Sequence, residues 1–299
     1  MQIAKLMKHR WEEEPISGIG RGYDGTFAIF FYGCTMRCVY CQNSKISRWH
    51  AESDNCCNGQ HSIVHRRGEH CEPEKVFYTP EELSDEIIKA QSKNVASISF
   101  ITAALYVDQV VETIKKKKKK GLTLPIVYNS SGYETVSQIK KLDGLIDIYL
   151  PDFKYFDNEL GKKYSGVPNY ADVAKACIAE MHRQIISLSS GRHSVVQCMG
   201  ELCEPSLIIR HLVLPANTEN SKRVIKYLYE TYGDDIYLSI MSQYTPMPQN
   251  EGIHAFPELL RNVTKREYEK VVDFALEIGV KNAYIQEGEV AKESFIPDF

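Results

Sequence analysis

Short runs of apolar, largely β-branched or aromatic residues alternate along the chain with longer stretches whose apolar positions recur every three or four residues. The runs predict strands near Phe27–Tyr32, Ser97–Ile101, Leu124–Tyr128, Ile146–Leu150, Leu207–Leu214 and Ile236–Met241, with a shorter one near Ala283–Gln286. Runs that are apolar throughout suit a parallel sheet covered on both faces. Between them, Thr79-Pro80-Glu81-Glu82 supplies a cap residue, a proline at the first helical position and a carboxylate three residues after the cap. Leu83, Ile87 and Ile88 then form the apolar stripe of the predicted helix. Further helices are predicted over Tyr106–Lys120, stopped by Gly121, and over Tyr133–Leu142, Tyr170–Ile186, Glu219–Tyr232 and Thr264–Ile278, the last stopped by Gly279.

A strand–helix unit repeated about six times predicts an α/β fold closed as a partial (β/α)6 barrel of the TIM type. Active sites of such folds sit at the C-terminal ends of the strands, so the residues just after each strand are the ones to examine. The chain reads as a single domain over residues 1–299 with two interruptions. His50–Lys75 is a polar insertion carrying Cys56, Cys57, Cys71, His61, His65 and His70. Ser187–Pro205 is a predicted loop or hairpin with Cys198 and Cys203. The insertion reads as an incidental loop, a second metal site being the alternative, because its spacing fits no metal template well.

Composition narrows the class. The sequence is 43% hydrophobic and 25% charged, with a net charge of −3, an ordinary globular balance without a global basic field to recruit nucleic acid or anionic lipid. No stretch approaches the ~18 apolar residues of a spanning helix, and the N-terminus has no signal-like apolar run. A cytoplasmic protein is expected, with neither nucleic acid nor membrane as partner. The lysine run Lys115–Lys120 reads as a solvated helix end, where cations favour the C-terminal dipole.

Nine cysteines, an odd number in a chain without an export signal, suit metal binding or catalysis better than a disulfide scaffold. Three of them cluster directly after the first strand, in Gly33-Cys34-Thr35-Met36-Arg37-Cys38-Val39-Tyr40-Cys41. Three soft thiolates on one short loop suit iron–sulfur or zinc. A four-iron cube normally takes four cysteines, so three leave one iron open to a small ligand. A structural zinc would need a fourth donor, for which Cys56, Cys57 or His50 are available.

The arrangement C-x3-C-x-aromatic-C, here Cys34, Cys38, Tyr40 and Cys41, resembles the signature of radical S-adenosylmethionine (SAM) enzymes. HRWEEEPISG, CVYCQNSKIS, YNSSGYE, IYLPDFKYFD, RHLVLP and SQYTPM resemble, in order, segments of the pyruvate formate-lyase activating enzyme-like group. The similarity runs over about residues 8–286. The resemblance implies a radical SAM type of partial barrel and a [4Fe–4S] cluster on Cys34, Cys38 and Cys41 that chelates SAM. It also implies an electron donor such as flavodoxin or ferredoxin. Tyr40 is expected beside the adenine. Asp152 and Lys154 resemble the activase Asp-x-Lys that contacts SAM, and Asn129, Ser130 and Ser131 stand where that family makes its strand-three contact. Arg210 resembles an arginine inside the barrel, and Gln243 and Tyr244 lie near the ribose contact. His211 is expected to be structural.

The sequence departs from the pattern after the second predicted strand. Where many radical SAM enzymes carry Gly-Gly-Glu, this chain has Phe100-Ile101-Thr102-Ala103-Ala104-Leu105-Tyr106. Closer relatives use a Thr-Pro-Thr-His-like segment, which only Thr102 and Tyr106 match. Three readings follow: an activase that takes a hydrogen from a glycine of a partner glycyl-radical enzyme, a radical SAM enzyme acting on another substrate, and, more distantly, a zinc-stabilised binding protein.

Overall fold

The computed structural model describes residues 1–48, 76–119, 121–191, 196–198, 201–203, 206–250 and 252–286. The whole insertion His50–Lys75, with its cysteines and histidines, lies outside the described residues, as does Lys120.

Eight strands form one open, mostly parallel sheet. They are β1 (Ile3–His9), β2 (Thr26–Phe31), β3 (Ile98–Ile101), β4 (Ile126–Ser130), β5 (Ile148–Pro151), β8 (Ser206–Leu212), β9 (Tyr237–Met241) and β10 (Ala283–Ile285), in that spatial order. A separate antiparallel hairpin pairs β6 (Val196–Cys198) with β7 (Glu201–Cys203), within the segment expected to be a loop or hairpin. The strands expected near Leu124–Tyr128 and Ile146–Leu150 lie slightly later, as β4 and β5, and the α/β partial-barrel expectation holds. β1 was not anticipated. It pairs antiparallel with β2, and its lysines Lys5 and Lys8 disguise an edge strand as surface chain.

Helices α3 (Pro80–Gln91), α4 (Val107–Lys119), α5 (Val136–Lys140), α7 (Tyr170–Gly191), α8 (Thr218–Tyr232) and α9 (Lys265–Glu277) follow their strands. Three have capping boxes in which a threonine side chain and a residue three positions on satisfy each other's backbone N–H: Thr79 with Glu82, Thr135 with Gln138, Thr264 with Glu267. The Thr135 box explains why α5 starts later than the expected Tyr133. α7 continues past the expected Ile186. α6 (Asn158–Ser165) was not anticipated, nor were the short helices α1 (Glu14–Ser17) and α2 (Ser44–Ser47).

The inner face of the sheet is graded along the strands. Val127, Ile148, Leu150 and Ile208 pack with Ile16 of α1. Ile16 is fully buried, which contributes about 2 kcal/mol, and its carbonyl accepts the Ser97 hydroxyl at 2.7 Å. The segment after β1 therefore closes the interior there. Two residues further along the same strands, the inward positions become Asn129, Asp152 and Arg210. The polar residues thus collect at the C-terminal ends of the strands. No helix among the described residues is long and apolar enough to cross a membrane.

Candidate active site

The three clustered cysteines sit on a loop held from several sides. Gly33 N–H donates to the Ile46 carbonyl of α2 at 2.9 Å, Arg37 N–H to the Ser165 carbonyl at 3.0 Å, and Val39 N–H to the Tyr164 carbonyl at 2.9 Å. The last two acceptors are carbonyls at the C-terminal end of α6, where a helix leaves such groups unpaired. Asn250 Nδ2 donates to the Cys41 carbonyl at 2.8 Å, and Arg48 to the Cys38 carbonyl at 3.1 Å. The sulfurs also have partners. Ser165 Oγ donates to Cys38 Sγ at 3.0 Å, Met36 N–H points at Cys34 Sγ at 3.4 Å, and Cys41 Sγ lies 3.4 Å from Ser47 Oγ.

Cys34, Cys38 and Cys41 line a cavity of about 260 Å3. The same cavity is lined by an ion network. Lys154 Nζ donates to Asp152 Oδ2 at 2.5 Å, Arg210 Nε to Asp152 Oδ1 at 3.2 Å, and Arg210 Nη1 to Glu12 Oε2 at 3.1 Å. Arg210 Nη2 also donates to Asn129 Oδ1 at 2.7 Å, while Asn129 Nδ2 donates to Glu12 Oε1 at 3.2 Å. Burial pushes the Asp152 carboxyl up, but Lys154 and Arg210 outweigh it and hold the group below its ordinary value. Burial works against the charged Lys154 as well, and its partner Asp152 more than restores it. Glu12 is different: burial lifts it to about 7 against the pull of Arg210.

All the residues expected to contact cofactor line this one cavity: Tyr40, Asn129, Ser131, Asp152, Lys154, Arg210, Gln243 and Tyr244, with Ser130 beside them. The two tyrosines contribute rings rather than hydroxyls. Tyr40 OH pairs with Tyr155 OH at 2.5 Å and Tyr244 OH donates to the Leu259 carbonyl at 2.7 Å, and the two rings meet edge to face at 5.9 Å. Gln243 Nε2 contacts only the Met241 sulfur, at 3.6 Å, among its recorded partners. His211 is structural as expected. Its Nδ1 lies 2.7 Å from the Phe153 carbonyl and its Nε2 2.9 Å from Ser221 Oγ, which fits a neutral ring donating through Nδ1, and burial lowers it to about 4.

The departure after β3 has a structural counterpart. Thr102 lines the cavity with φ +59°, a left-handed backbone that a β-branched residue rarely adopts. Tyr106 turns away, donating to Gln2 Oε1 at 3.1 Å. Sequence reasoning missed His9, Trp11 and Glu12, which also line the cavity. A signal was present: an arginine on a buried strand needs a carboxylate, and Glu12 belongs to the quoted HRWEEEP segment.

Behind Asn129, the turn is locked by a second buried carboxyl. Gly132 N–H donates to Ser130 Oγ at 2.8 Å and Ser130 Oγ–H donates to Glu134 Oε2 at 2.6 Å. Gly132 has φ +73°, and a Cβ there would meet the Asp152 carbonyl oxygen at 2.3 Å. Gly132→Ala is therefore expected to cost about 2 kcal/mol through backbone strain and displacement of the Asp152 strand end. Chemical denaturation of the two proteins checks this, and equal midpoints would contradict it.

Glu134 Oε1 is buried without a hydrogen-bond partner, and burial lifts the carboxyl to about 7. An acid whose folded value is raised contributes stability below its unfolded value and loses it as pH rises through the folded value. Glu134→Gln removes this titration. Between pH 5 and pH 8 the parent is expected to lose up to about 3 kcal/mol relative to the variant. Parallel stability–pH curves would contradict that expectation.

The donor set fits an iron–sulfur group. Burial holds the Cys38 thiol up at about 12 and raises Cys34 as well, so a positive metal centre is what would ionise them. Hydrogen bonds onto cysteine sulfurs are among the means by which proteins tune such groups. Among the described residues, no three His, Cys, Asp or Glu side chains converge on one metal ion.

Over 249 residues the chain is 28% identical to an uncharacterized protein of Methanocaldococcus jannaschii, covering 83% of this chain and 61% of that protein. The chain thus spans less than two thirds of this curated relative. SuiB of Streptococcus suis, in a structure bound to SAM, superposes with a TM-score of 0.52 at 11% identity, over 86% of this chain and 49% of SuiB. That likeness concerns the fold. A domain of pyruvate-formate lyase-activating enzyme from Bacteroides vulgatus gives a TM-score of 0.43 at 12% identity, over 64% of this chain and 99% of that domain, too loose to bear on the subgroup. Residues 28–192 match the Radical SAM superfamily, a segment of more than half the chain that contains the three cysteines, Asn129, Asp152 and Lys154. The chain belongs to the radical SAM superfamily, a membership that implies SAM and an iron–sulfur cluster as its cofactors.

Proposed function

We propose that Cys34, Cys38 and Cys41 hold a [4Fe–4S] cluster and that the enzyme uses it to take a hydrogen atom from a glycine of a partner glycyl-radical enzyme. The observation that carries this reading is the convergence of three thiols and the Asp152–Lys154–Arg210 network on one cavity. A cube places each thiolate on a separate iron and so takes three cysteines of one short loop. Held by Cys34, Cys38 and Cys41, such a cluster would supply the electron for reductive cleavage of SAM, and the SAM so cleaved would supply the hydrogen-abstracting chemistry.

The chain's own residues bind and exclude. Asp152 accepts from an ammonium group and Lys154 pairs with a carboxylate, the two ends of an amino acid. Asn129, Ser131 and Gln243 offer hydrogen bonds, while the Tyr40 and Tyr244 rings form an apolar wall. Arg210 holds Asp152 and Asn129 in register. The buried rings and the Ile16 plug keep water from the cavity, a requirement for chemistry that would otherwise quench.

The choice of a glycine rests on the resemblance of Asp152 and Lys154 to the activase Asp-x-Lys. Anaerobic incubation of the reconstituted protein with SAM, reductant and candidate glycyl-radical enzymes tests the reading. A glycyl doublet in the electron paramagnetic resonance (EPR) spectrum of the partner is expected. 5′-Deoxyadenosine formed without any doublet would favour a small-molecule or other substrate, and no 5′-deoxyadenosine would overturn the reading.

A further inference from the structure

Three hydroxyls run from the cavity wall to a cysteine sulfur. Tyr40 OH lies 2.5 Å from Tyr155 OH, Tyr155 OH 2.7 Å from Ser165 Oγ, and Ser165 Oγ 3.0 Å from Cys38 Sγ. All three side chains are buried, Tyr155 and Ser165 completely. Their hydroxyls have no further hydrogen-bond partner among the described residues. The three come from the cysteine loop, the segment after β5 and the end of α6, and they meet only in the fold.

Each hydroxyl carries one proton, and that count fixes the direction of the chain. As a metal ligand Cys38 is a thiolate with no proton to give, so Ser165 donates to it. Ser165 then offers Tyr155 only lone pairs, so Tyr155 donates to Ser165 and accepts from Tyr40. Three protons point one way and end on sulfur. A thiol is a weak acceptor, whereas a thiolate takes a charge-assisted hydrogen bond. The buried row is therefore best satisfied with Cys38 ionised.

The other two sulfurs are served differently. Met36 N–H lies 3.4 Å from Cys34 Sγ, and Ser47 Oγ lies 3.4 Å from Cys41 Sγ. The Ser165 contact is shorter, and hydrogen bonds in series polarise one another.

We propose that Ser165, backed by Tyr155 and Tyr40, is a positioning residue that acts through Cys38 to raise the reduction potential of the cluster. The inference rests on the proposed cluster. An electron entering the cluster adds negative charge to its sulfurs, so a donor aimed at one of them favours the reduced form. One electron, which dithionite can supply, is taken up; no covalent bond is made and no proton is transferred.

Anaerobic potentiometry of the reconstituted holoprotein without SAM, followed by the EPR signal of the reduced cluster, tests this. Ser165→Ala keeps the backbone carbonyl that accepts from Arg37 N–H, so the loop retains that anchor. It is expected to disfavour reduction about tenfold, a potential about 59 mV more negative for one electron, with iron content unchanged. Tyr155→Phe leaves Ser165 in place but removes the donor behind it, and is expected to shift the potential the same way by less. Ser47→Ala is expected to give a smaller shift than Ser165→Ala. A parent-like potential in either Ser165→Ala or Tyr155→Phe, or a Ser165→Ala shift no larger than that of Ser47→Ala, would overturn the proposal. A parent protein that takes up no reducible cluster would instead overturn the cluster assignment.

Discussion

Cys38→Ala is expected to yield a folded protein that retains no iron–sulfur chromophore after anaerobic reconstitution and forms 5′-deoxyadenosine only at background. Cys38 faces the cavity, and its recorded side-chain hydrogen bond comes from Ser165. Its removal leaves a hydroxyl that still bonds Tyr155 at 2.7 Å. The Arg37 and Val39 backbone anchors do not involve the sulfur, so the loop keeps its main-chain support. The cost in stability is therefore about 1 kcal/mol, while the ligand set falls from three to two. Iron analysis alongside circular dichroism separates the two effects. A variant that keeps full iron and full SAM cleavage would remove Cys38 from the site.

Arg210→Leu has the largest expected effect on stability. Arg210, Glu12 and Asp152 are 16%, 4% and 19% exposed at their side chains, so the guanidinium compensates two largely buried carboxylates. Removing one member of a buried network leaves its partners unpaired and costs about 3–5 kcal/mol. Lys154 continues to serve Asp152, whereas Glu12 keeps only Asn129, which places the loss mainly on Glu12. Burial already lifts Glu12 to about 7, and Arg210 pulls it down; without the arginine it rises further. A raised folded value means stability lost as pH climbs through it. The deficit of Arg210→Leu is thus expected to be larger at pH 8 than at pH 5.5. Denaturation midpoints at the two pH values check this, and a variant as stable as the parent at pH 8 would contradict it.

Much of this site was legible in the sequence because its parts are local. The C-x3-C-x2-C spacing needs no partner to be read, and Asp152 and Lys154 are two residues apart after an apolar run. What stayed hidden depends on contacts distant in sequence. Glu12 sits in a run of three glutamates with no apolar pattern around it, and it turns inward because the segment after β1 enters the interior, where it meets Arg210, far along the chain. α6 was overlooked because its apolar positions are sparse. It nonetheless supplies the carbonyls and the hydroxyl that hold the cysteine loop. The Thr102 backbone follows from the geometry at the end of β3 and has no signature in residue type; threonine there argues against a left-handed conformation.

The account depends on three cysteines presenting a cluster with one iron open to SAM. EPR of the dithionite-reduced, reconstituted protein titrated with SAM tests that directly. The expected result is a reduced-cluster signal whose shape changes as SAM is added and saturates at one SAM per chain. A signal that ignores saturating SAM, or the absence of any reduced-cluster signal, would contradict it.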